Sequence, residues 1–434
     1  MIIKANYNKL LIFLMLIISI MPTWFNFEGH IAKSILLLIS LFLTFTVYKK
    51  IRAEFSKYIG ILFIWIVIRD SISLFHGEYV RSITLALEAI LPAYIISKYV
   101  NNKRKLDYVI DSLIYLSVIV CILGLIEAFT KNDLFLFFNN SGQVIIRNAE
   151  RLGIVRIIGF TTQTSHYALY AGMVSLLTFY RIQSVDKQGK MKFLLIYIVQ
   201  ISNMLLTLSR TVMLAYIICI LVIMLRSGML KAIKYYFIAL VSVVSVFFIL
   251  GNTFIGQTFY MLLGSVIPEF NYLVSGVADA EINNPVGDRL ELYHWVYNNV
   301  RNNFFLGVGE TVEFNQEVSV TNGLCFYSII KTSIEVNYLY YFFHFGFVGM
   351  ISEIVMYLRF LILSFKGMIK RYQVEKEGTF SFDFIFFIVI LLNLLSWFGI
   401  NQGEEAHTLY IIIGIWISYK SLQHHSRKCK NVFI

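Results

Sequence analysis

The sequence predicts an all-α polytopic membrane protein, and three observations carry this prediction. Of the 434 residues, 58% are apolar and only 15% are charged, whereas soluble domains average about 45–50% apolar and about 25% charged residues. Apolar runs of about 20 residues, the length at which a helix spans a bilayer, recur along the whole chain. The alternating apolar and polar segments typical of outer-membrane β-barrels are missing from the sequence.

Hydropathy predicts about twelve transmembrane helices within a single integral membrane domain that comprises residues 1–434. A chain with only four prolines also fits long helices with few breaks. The predicted helices are at about 10–27, 31–48, 57–75, 80–98, 107–129, 162–181, 191–208, 210–226, 232–252, 346–365, 380–400 and 406–420.

The basic residues predict how these helices are oriented. The net charge is +11, and every second connection carries a basic cluster. These clusters include Lys49/Lys50/Arg52/Lys57, Lys98/Lys103/Arg104/Lys105, Arg181/Lys187/Lys190/Lys192, Arg226/Lys231/Lys234 and Lys366/Lys370/Arg371/Lys376. Cytoplasmic loops are enriched in Lys and Arg, so we expect a multi-pass protein of the cytoplasmic (inner) membrane with both termini in the cytoplasm. The charge is explained by topology, and we expect no nucleic acid partner.

Two longer segments, about 130–161 and 253–345, fall on the opposite, external face. Residues 253–345 form a large predicted periplasmic loop region between helices 9 and 10, in which acidic residues outnumber basic ones. Connections longer than about 15 residues are usually functional or disordered. The apolar stretches Phe259–Ile267 and Leu290–Val296 predict that this loop folds back on the membrane.

Arg210 is the first candidate for chemistry. It lies in Leu208-Ser209-Arg210-Thr211, between the apolar runs Met191–Thr207 and Val212–Leu225. An ionisable residue held at the membrane boundary indicates a functional site. With Ser209 as the N-cap, the partial positive charge of the helix N-terminus and the guanidinium group would together form an outward-facing anion site. The alternative is an arginine that snorkels to the lipid headgroups.

Arg289 repeats this arrangement. Asp288-Arg289-Leu290-Glu291 resembles a capping box, with Asp in place of Ser or Thr, at the start of a helix that runs to about Asn303. Leu292, Trp295, Val296 and Val300 supply its apolar stripe. A cation in the first turn of a helix costs about 0.3–1 kcal/mol. A role in anion binding would explain why Arg289 is placed there. An ordinary ion pair with Asp288 or Glu291 is the alternative. The Gly307-Val308-Gly309 stretch that follows predicts a structural turn.

Glu335 is a candidate general base, because it precedes an apolar helical stretch on the external side. Apolar surroundings favour the protonated form of a carboxylate, which suits proton transfer. The alternative is a helix-start carboxylate stabilised by the helix dipole.

Other polar residues favour ordinary roles. Arg147, Arg151 and Arg156 cluster before the sixth helix, where they would bind either phosphate or lipid headgroups. We expect Arg69 and Asp70 to form a structural pair, and Glu88 and Glu127 to make hydrogen bonds inside the bundle, with a proton relay as the alternative for these two carboxylates. His344, Glu404, Glu405 and His407 have no recognised ligand spacing and the four cysteines are far apart, so we expect neither a metal site nor a disulfide framework.

Three stretches together resemble the bacterial O-antigen polymerase and O-antigen ligase superfamily. Thr207-Leu-Ser-Arg-Thr211 is similar to its Thr-x-Ser-Arg motif. Arg289, Trp295 and Leu306-Gly-Val-Gly309 resemble its Arg-x-x-x-x-x-Trp…Pro-Leu-x-Gly-x-Gly block, with Phe305 where the family often has Pro. Ser333–Gly349 resembles the block at the start of the tenth helix. Arg151-Leu-Gly153…Gly159-Phe160 is similar to a fourth block.

This resemblance implies a GT-C-type fold and transfer of glycans from undecaprenyl diphosphate to an acceptor at the outer face of the membrane. The ligase branch usually has a His-Asn pair where this chain has Glu335 and Val336, so a Wzy-type polymerase fits better than a ligase. The remaining alternative, from a different class, is a flippase for lipid-linked oligosaccharides. That alternative predicts paired halves, and the sequence has no clear internal repeat.

The resemblance also implies roles for individual residues. Arg210 and Arg289 would stabilise the diphosphate leaving group, and Glu335 would act as the base. We expect further contacts with the substrate from Arg151, Arg156, Ser209, Thr211, Tyr338 and His344. The lipid-linked donor is already activated, so no nucleotide cofactor or metal is expected. The expected partners are undecaprenyl-diphosphate-linked oligosaccharide, membrane lipid and a chain-length regulator protein.

Overall fold

The structure is a computed structural model. It describes residues 53–78, 90–132, 155–226, 285–322, 325–331, 334–372, 380–403 and 405–431, together with scattered positions before residue 43. The predicted helices at about 31–48 and 232–252, and most of those at about 10–27 and 80–98, lie outside these residues.

Helices dominate the part of the chain that the structure describes. In chain order they are α1 (Ala53–Phe75), α2 (Lys103–Thr130), α3 (Thr164–Ser184), α4 (Lys187–Leu206), α5 (Arg210–Arg226), α6 (Pro285–Val300), α7 (Asn337–Tyr372), α8 (Phe382–Ser396) and α9 (Glu405–Asn431). A helical stretch at 90–99 precedes α2.

The bundle has an interior layer and a peripheral layer. Helices α3, α8 and the first part of α9 are buried on nearly all sides, as expected for helices that are apolar all round. Helices α4, α5 and α7 pack around them and expose large apolar side chains such as Leu195, Ile217 and Val355. Exposed apolar side chains on the peripheral helices are typical of a protein that sits in lipid, which agrees with the predicted membrane class.

Four of the described helices are long and apolar enough to cross a bilayer: Tyr58–Phe75, Lys103–Thr130, Lys187–Leu206 and Asn337–Ile369. This finding supports a polytopic membrane protein. The number of twelve spans and the GT-C type of the fold stay predictions.

Helix α7 is two helical segments joined at a break. Gly346 has φ 65° and ψ −168°, which no straight helix allows. Asn337, at the start of α7, hydrogen-bonds to Glu353, sixteen residues further on. In a straight helix these residues would be about 24 Å apart, so residues 337–345 must fold back along the segment that follows Gly346. That second segment corresponds to the helix predicted at about 346–365.

Contacts between helix ends define one end of the bundle, which we call the site end. There α1, α2, α4 and α8 finish, and α3, α5, α9 and the second segment of α7 begin. Several of the predicted basic clusters lie at the opposite ends of these helices, represented by Lys103–Lys105, Arg181, Lys187, Arg226 and Lys366. These clusters therefore share one end of the bundle.

A β-hairpin interrupts the helical pattern within the region predicted as the large loop. Strand β1 (Gln316–Asn322) pairs antiparallel with β2 (Cys325–Lys331), with Gln316 opposite Lys331. The prediction of an all-α protein did not include this hairpin.

Candidate functional site

The predicted anion site is built on the turn between α4 and α5. Helix α4 ends at Leu206 and α5 begins at Arg210, as predicted. The carbonyl of Ser209 accepts from Met213 N at 3.0 Å, which is the first bond of α5. Ser209 is buried, whereas Arg210 and Thr211 are half-buried. The side chain of Arg210 is therefore attached to the first turn of a helix, where backbone N–H groups and the helix dipole already favour an anion.

The turn itself holds a strained residue. Leu208 has φ 53°, in the left-handed region that costs a non-glycine residue about 1–2 kcal/mol. Local bonds hold it there: Leu208 N donates to Leu205 O at 3.0 Å, and Ser209 N donates to the Thr207 hydroxyl at 3.3 Å. Such strain concentrates at functional sites, and here it immediately precedes Ser209 and Arg210.

Arg156 lies against the same turn. Its Nε donates to the Thr207 carbonyl at 2.9 Å. The loop that carries Arg156 is held by Glu127 of α2, whose carboxylate accepts from Ile158 N at 3.0 Å and from Gly159 N at 2.9 Å. This confirms the prediction that Glu127 hydrogen-bonds within the bundle. The structure thus brings Arg156 and Arg210 to one turn, although they are far apart in sequence.

The glycine-rich stretch after α6 packs into the break of α7. Val308 N donates to Phe343 O at 2.9 Å and Gly309 N to His344 O at 3.0 Å, while Phe347 N donates to Phe304 O at 2.8 Å. A Cβ on Gly307 would stand 2.5 Å from Gly346 N. Gly307 and Gly309 both have positive φ. The prediction of a structural turn at Gly307-Val308-Gly309 is confirmed, and its partner is the backbone of α7.

The end of α1 fixes the residues that follow this turn. Arg69 pairs with Glu310 at 3.2 Å, not with Asp70 as predicted, and its guanidinium lies 4.8 Å from the centre of the Phe345 ring. Thr311 N donates to Glu78 at 2.6 Å. Burial opposes ionisation of Glu78, but the hydrogen bonds from Thr311 and Glu310 and the nearby His76 together outweigh it and hold the pKa of this carboxyl below its usual range.

Helix α6 confirms one prediction and corrects another. The predicted stripe is buried: Leu292, Val296 and Val300 form a second apolar cluster with Phe314 and Phe343, and Trp295 packs against it. The helix, however, begins at Pro285 and not at Asp288. Proline is favoured at the first helical position because its missing N–H has no partner there anyway. Asp288 is therefore not the cap of a capping box, and Arg289 lies in the second turn. The side chain of Arg289 lies outside the described residues.

Glu335 lies in the short segment before α7. Its side chain is exposed, whereas its neighbours Ile334 and Val336 are 2% and 1% exposed. The carboxylate is therefore not enclosed by apolar side chains as expected. Its proposed role as a base stays a prediction that rests on position, not on desolvation.

Two residues expected to contact substrate have partners in the protein. The Tyr338 hydroxyl donates to Leu394 O at 2.8 Å, which ties α7 to α8. His344 is buried, and its Nδ1 hydrogen-bonds to Gly309 O at 2.7 Å. Both contacts hold backbone in place at the site end. Arg151 lies outside the described residues.

The sequence interpretation missed a buried polar network behind Glu335. Asn337 N donates to Trp397 O and Ile400 O at 3.1 and 3.2 Å, and its side chain reaches Glu353, which is 1% exposed. A carboxylate inside an apolar helix is a signal that could have identified Glu353, since such residues are costly in membranes.

A second buried pair lies nearby. His166, in the first turn of α3, bonds to Asn401 at 2.9 Å and lies 3.9 Å from Glu405 of α9. Among the residues that the structure describes, no three His, Cys, Asp or Glu side chains converge as metal ligands do.

The comparison with known families covers several of these residues. Residues 193–353 match the O-antigen ligase family model. The match covers a little over a third of the chain and includes most of α4, the turn before Arg210, α6 and Glu335. It supports the resemblance to the O-antigen ligase and polymerase superfamily and does not separate the two activities. No curated protein matches the chain.

Proposed function

We propose that the protein transfers glycans from undecaprenyl diphosphate at the outer face of the cytoplasmic membrane. The observation that carries this proposal is that the O-antigen ligase match spans the turn with Ser209 and Arg210 and the segment with Glu335. The same match does not favour a flippase. The exposed apolar surface of the peripheral helices supports a protein that works within the bilayer.

Within this class we propose polymerisation. The donor is a glycan on undecaprenyl diphosphate, and the acceptor is a hydroxyl of the non-reducing sugar on another lipid-linked repeat. The acceptor oxygen bonds to the anomeric carbon while the bond from that carbon to the diphosphate oxygen breaks. The electron pair of that bond leaves with the diphosphate, and Glu335 takes the hydroxyl proton. Glu335 stands where the ligase branch usually has histidine, which supports this reading.

Arg210 has the central role in the proposal. Negative charge grows on the diphosphate as the glycosidic bond breaks, and a guanidinium group can hold two phosphate oxygens at once. Placed at the start of α5, it adds to the positive end of the helix dipole. Arg156, which contacts the same turn, and Arg289 of α6 would complete the anion site.

A ligase that transfers finished polymer to a lipid acceptor is the second candidate, because the matching family model is described as O-antigen ligase. Gel banding of cell-surface glycan separates the two. A strain that lacks a polymerase attaches a single repeat, whereas a strain that lacks a ligase attaches no glycan.

Complementation of such a strain tests the role of Arg210. Arg210→Ala is expected to abolish long glycan, and Arg210→Lys to restore it only in part, because lysine keeps the charge but not the two-pronged geometry. Lys190→Ala, at the opposite end of α4 and exposed, is the control and should retain full chain length. Full polymer from a well-expressed Arg210→Ala protein would refute the proposal.

A further inference from the structure

Asn337 and Glu353 form a contact that exists only because α7 folds back at Gly346. Asn337 Nδ2 donates to both carboxylate oxygens of Glu353, at 3.1 and 3.2 Å. Both residues are buried, at 0% and 1% exposure. Removing either partner of this buried hydrogen bond leaves the other polar group unsatisfied, so the bond favours the folded-back arrangement.

Asn337 also holds the loop between α8 and α9. Its Oδ1 accepts from Gln402 N at 3.0 Å, and its backbone N–H is shared between Trp397 O and Ile400 O. Gln402 in turn donates to the hydroxyls of Tyr357 and Tyr410, at 3.3 and 3.2 Å. One side chain therefore links the start of α7, the middle of α7 and the loop 397–403.

Glu335 is two residues before this junction. Its neighbours Ile334 and Val336 are buried in the second apolar cluster with residues of α6. The exposed carboxylate is thus fixed from one side by apolar packing and from the other by Asn337. Its position relative to the second segment of α7 depends on the bond between Asn337 and Glu353.

We propose that Glu353 is a positioning residue: through Asn337 it sets Glu335 in place for glycan transfer. This inference rests on the proposed function of Glu335. Glu353 is too deeply buried to touch substrate, so it acts only through the segment that Asn337 holds.

Spin-label distances test the positioning directly and do not depend on activity. Labels on Glu335→Cys and Val355→Cys, both exposed positions, report the distance from the segment before α7 to the second segment of α7 in a background without native cysteines. We expect a narrow distance distribution in the protein that retains Glu353 and a broad one in Glu353→Ala. The double variant Asn337→Asp/Glu353→Gln exchanges the amide and the carboxylate, and its distance distribution should be narrow again. An unchanged distribution in Glu353→Ala would overturn the inference.

Kinetics on the purified, otherwise native chain test the consequence. A displacement of about 1 Å can cost about 100-fold in rate, so we expect Glu353→Ala to lower kcat by about that factor with KM for the lipid-linked donor unchanged. Asn337→Asp alone places two carboxylates in contact and should lower kcat at least as much, whereas the exchanged double variant should recover most of it.

Ser352→Ala is the matched control, because among the described residues the Ser352 hydroxyl bonds only within its own helix, to Gly349 O. Ser352→Ala should change neither the spin-label distance distribution nor kcat. A broadened distance with normal kcat, or no recovery in a folded double variant, would also overturn the inference. A wild-type protein that shows the narrow distance but no transfer would refute the proposed function instead.

Discussion

Replacing Gly307 with alanine should detach the glycine-rich turn from the break in α7. Gly307 has φ 72°, so a side chain there costs about 1–2 kcal/mol in backbone strain alone. The new Cβ would stand 2.5 Å from Gly346 N and 2.6 Å from His344 O. These are backbone atoms, which cannot rotate away as a flexible side chain would.

The loss of close contact between Gly307 and α7 adds to the backbone strain, because two hydrogen bonds depend on this contact. The bonds from Val308 N and Gly309 N to α7 contribute roughly 0.5–1.5 kcal/mol each. Together with the strain, the expected cost is about 2–5 kcal/mol, which raises the population of the detached state about 30-fold to several thousandfold.

Hydrogen exchange measured on residues 304–309 and 343–348 is the assay, and two other glycines serve as controls. Gly77 has φ 81° but nothing within 4 Å of its Cβ position, so Gly77→Ala reports strain alone, about 1–2 kcal/mol. Gly60 is helical and open, so Gly60→Ala should stabilise by about 0.5–1 kcal/mol. If Gly307→Ala exchanged no faster than Gly77→Ala at these segments, the argument from backbone contact would be wrong.

Three further predictions concern the supports of the site end. Because the pKa of Glu78 is lowered in the folded protein, its stabilising bond is present above the pKa of the unfolded chain and is lost as pH falls through the folded value. In the wild-type protein, protection of the Thr311 amide against hydrogen exchange, corrected for intrinsic exchange, should fall as pH falls through the folded pKa of Glu78. In Glu78→Gln this protection should not depend on pH. Glu127→Ala removes two charge-assisted bonds of roughly 1.5–3 kcal/mol each, so the Gly159 amide should lose protection; retained protection would contradict the assignment. Arg156→Ala should raise KM for the lipid-linked donor about tenfold, as expected for the loss of about 1.4 kcal/mol of binding, and an unchanged KM would remove Arg156 from the anion site.

Periodicity and charge predicted the parts of the fold that depend on local sequence. The bounds of α5, the apolar stripe of α6 and the sharing of one end by the basic clusters all follow from residues close together in the chain. Each of these features is decided by spacing of three to four residues or by the nearest apolar run. The turn before Arg210 was predictable for the same reason.

The fold-back of α7 was not predictable in this way. Asn337–Tyr372 is continuously apolar enough to be one helix, and the break depends on Gly307 from a distant segment packing against Gly346. The partners of Arg69 and Arg156 are likewise far away in sequence. Exposure of Glu335 also depends on tertiary packing, which places Ile334 and Val336 inward and the carboxylate outward.

The most direct test is turnover by the purified protein in lipid nanodiscs, with a defined repeat linked to undecaprenyl diphosphate. The account predicts that the wild-type protein forms longer lipid-linked glycans with release of undecaprenyl diphosphate, and that Arg210→Ala forms none while remaining folded. Elongation by Arg210→Ala at the wild-type rate would contradict the claim that this guanidinium group stabilises the departing diphosphate.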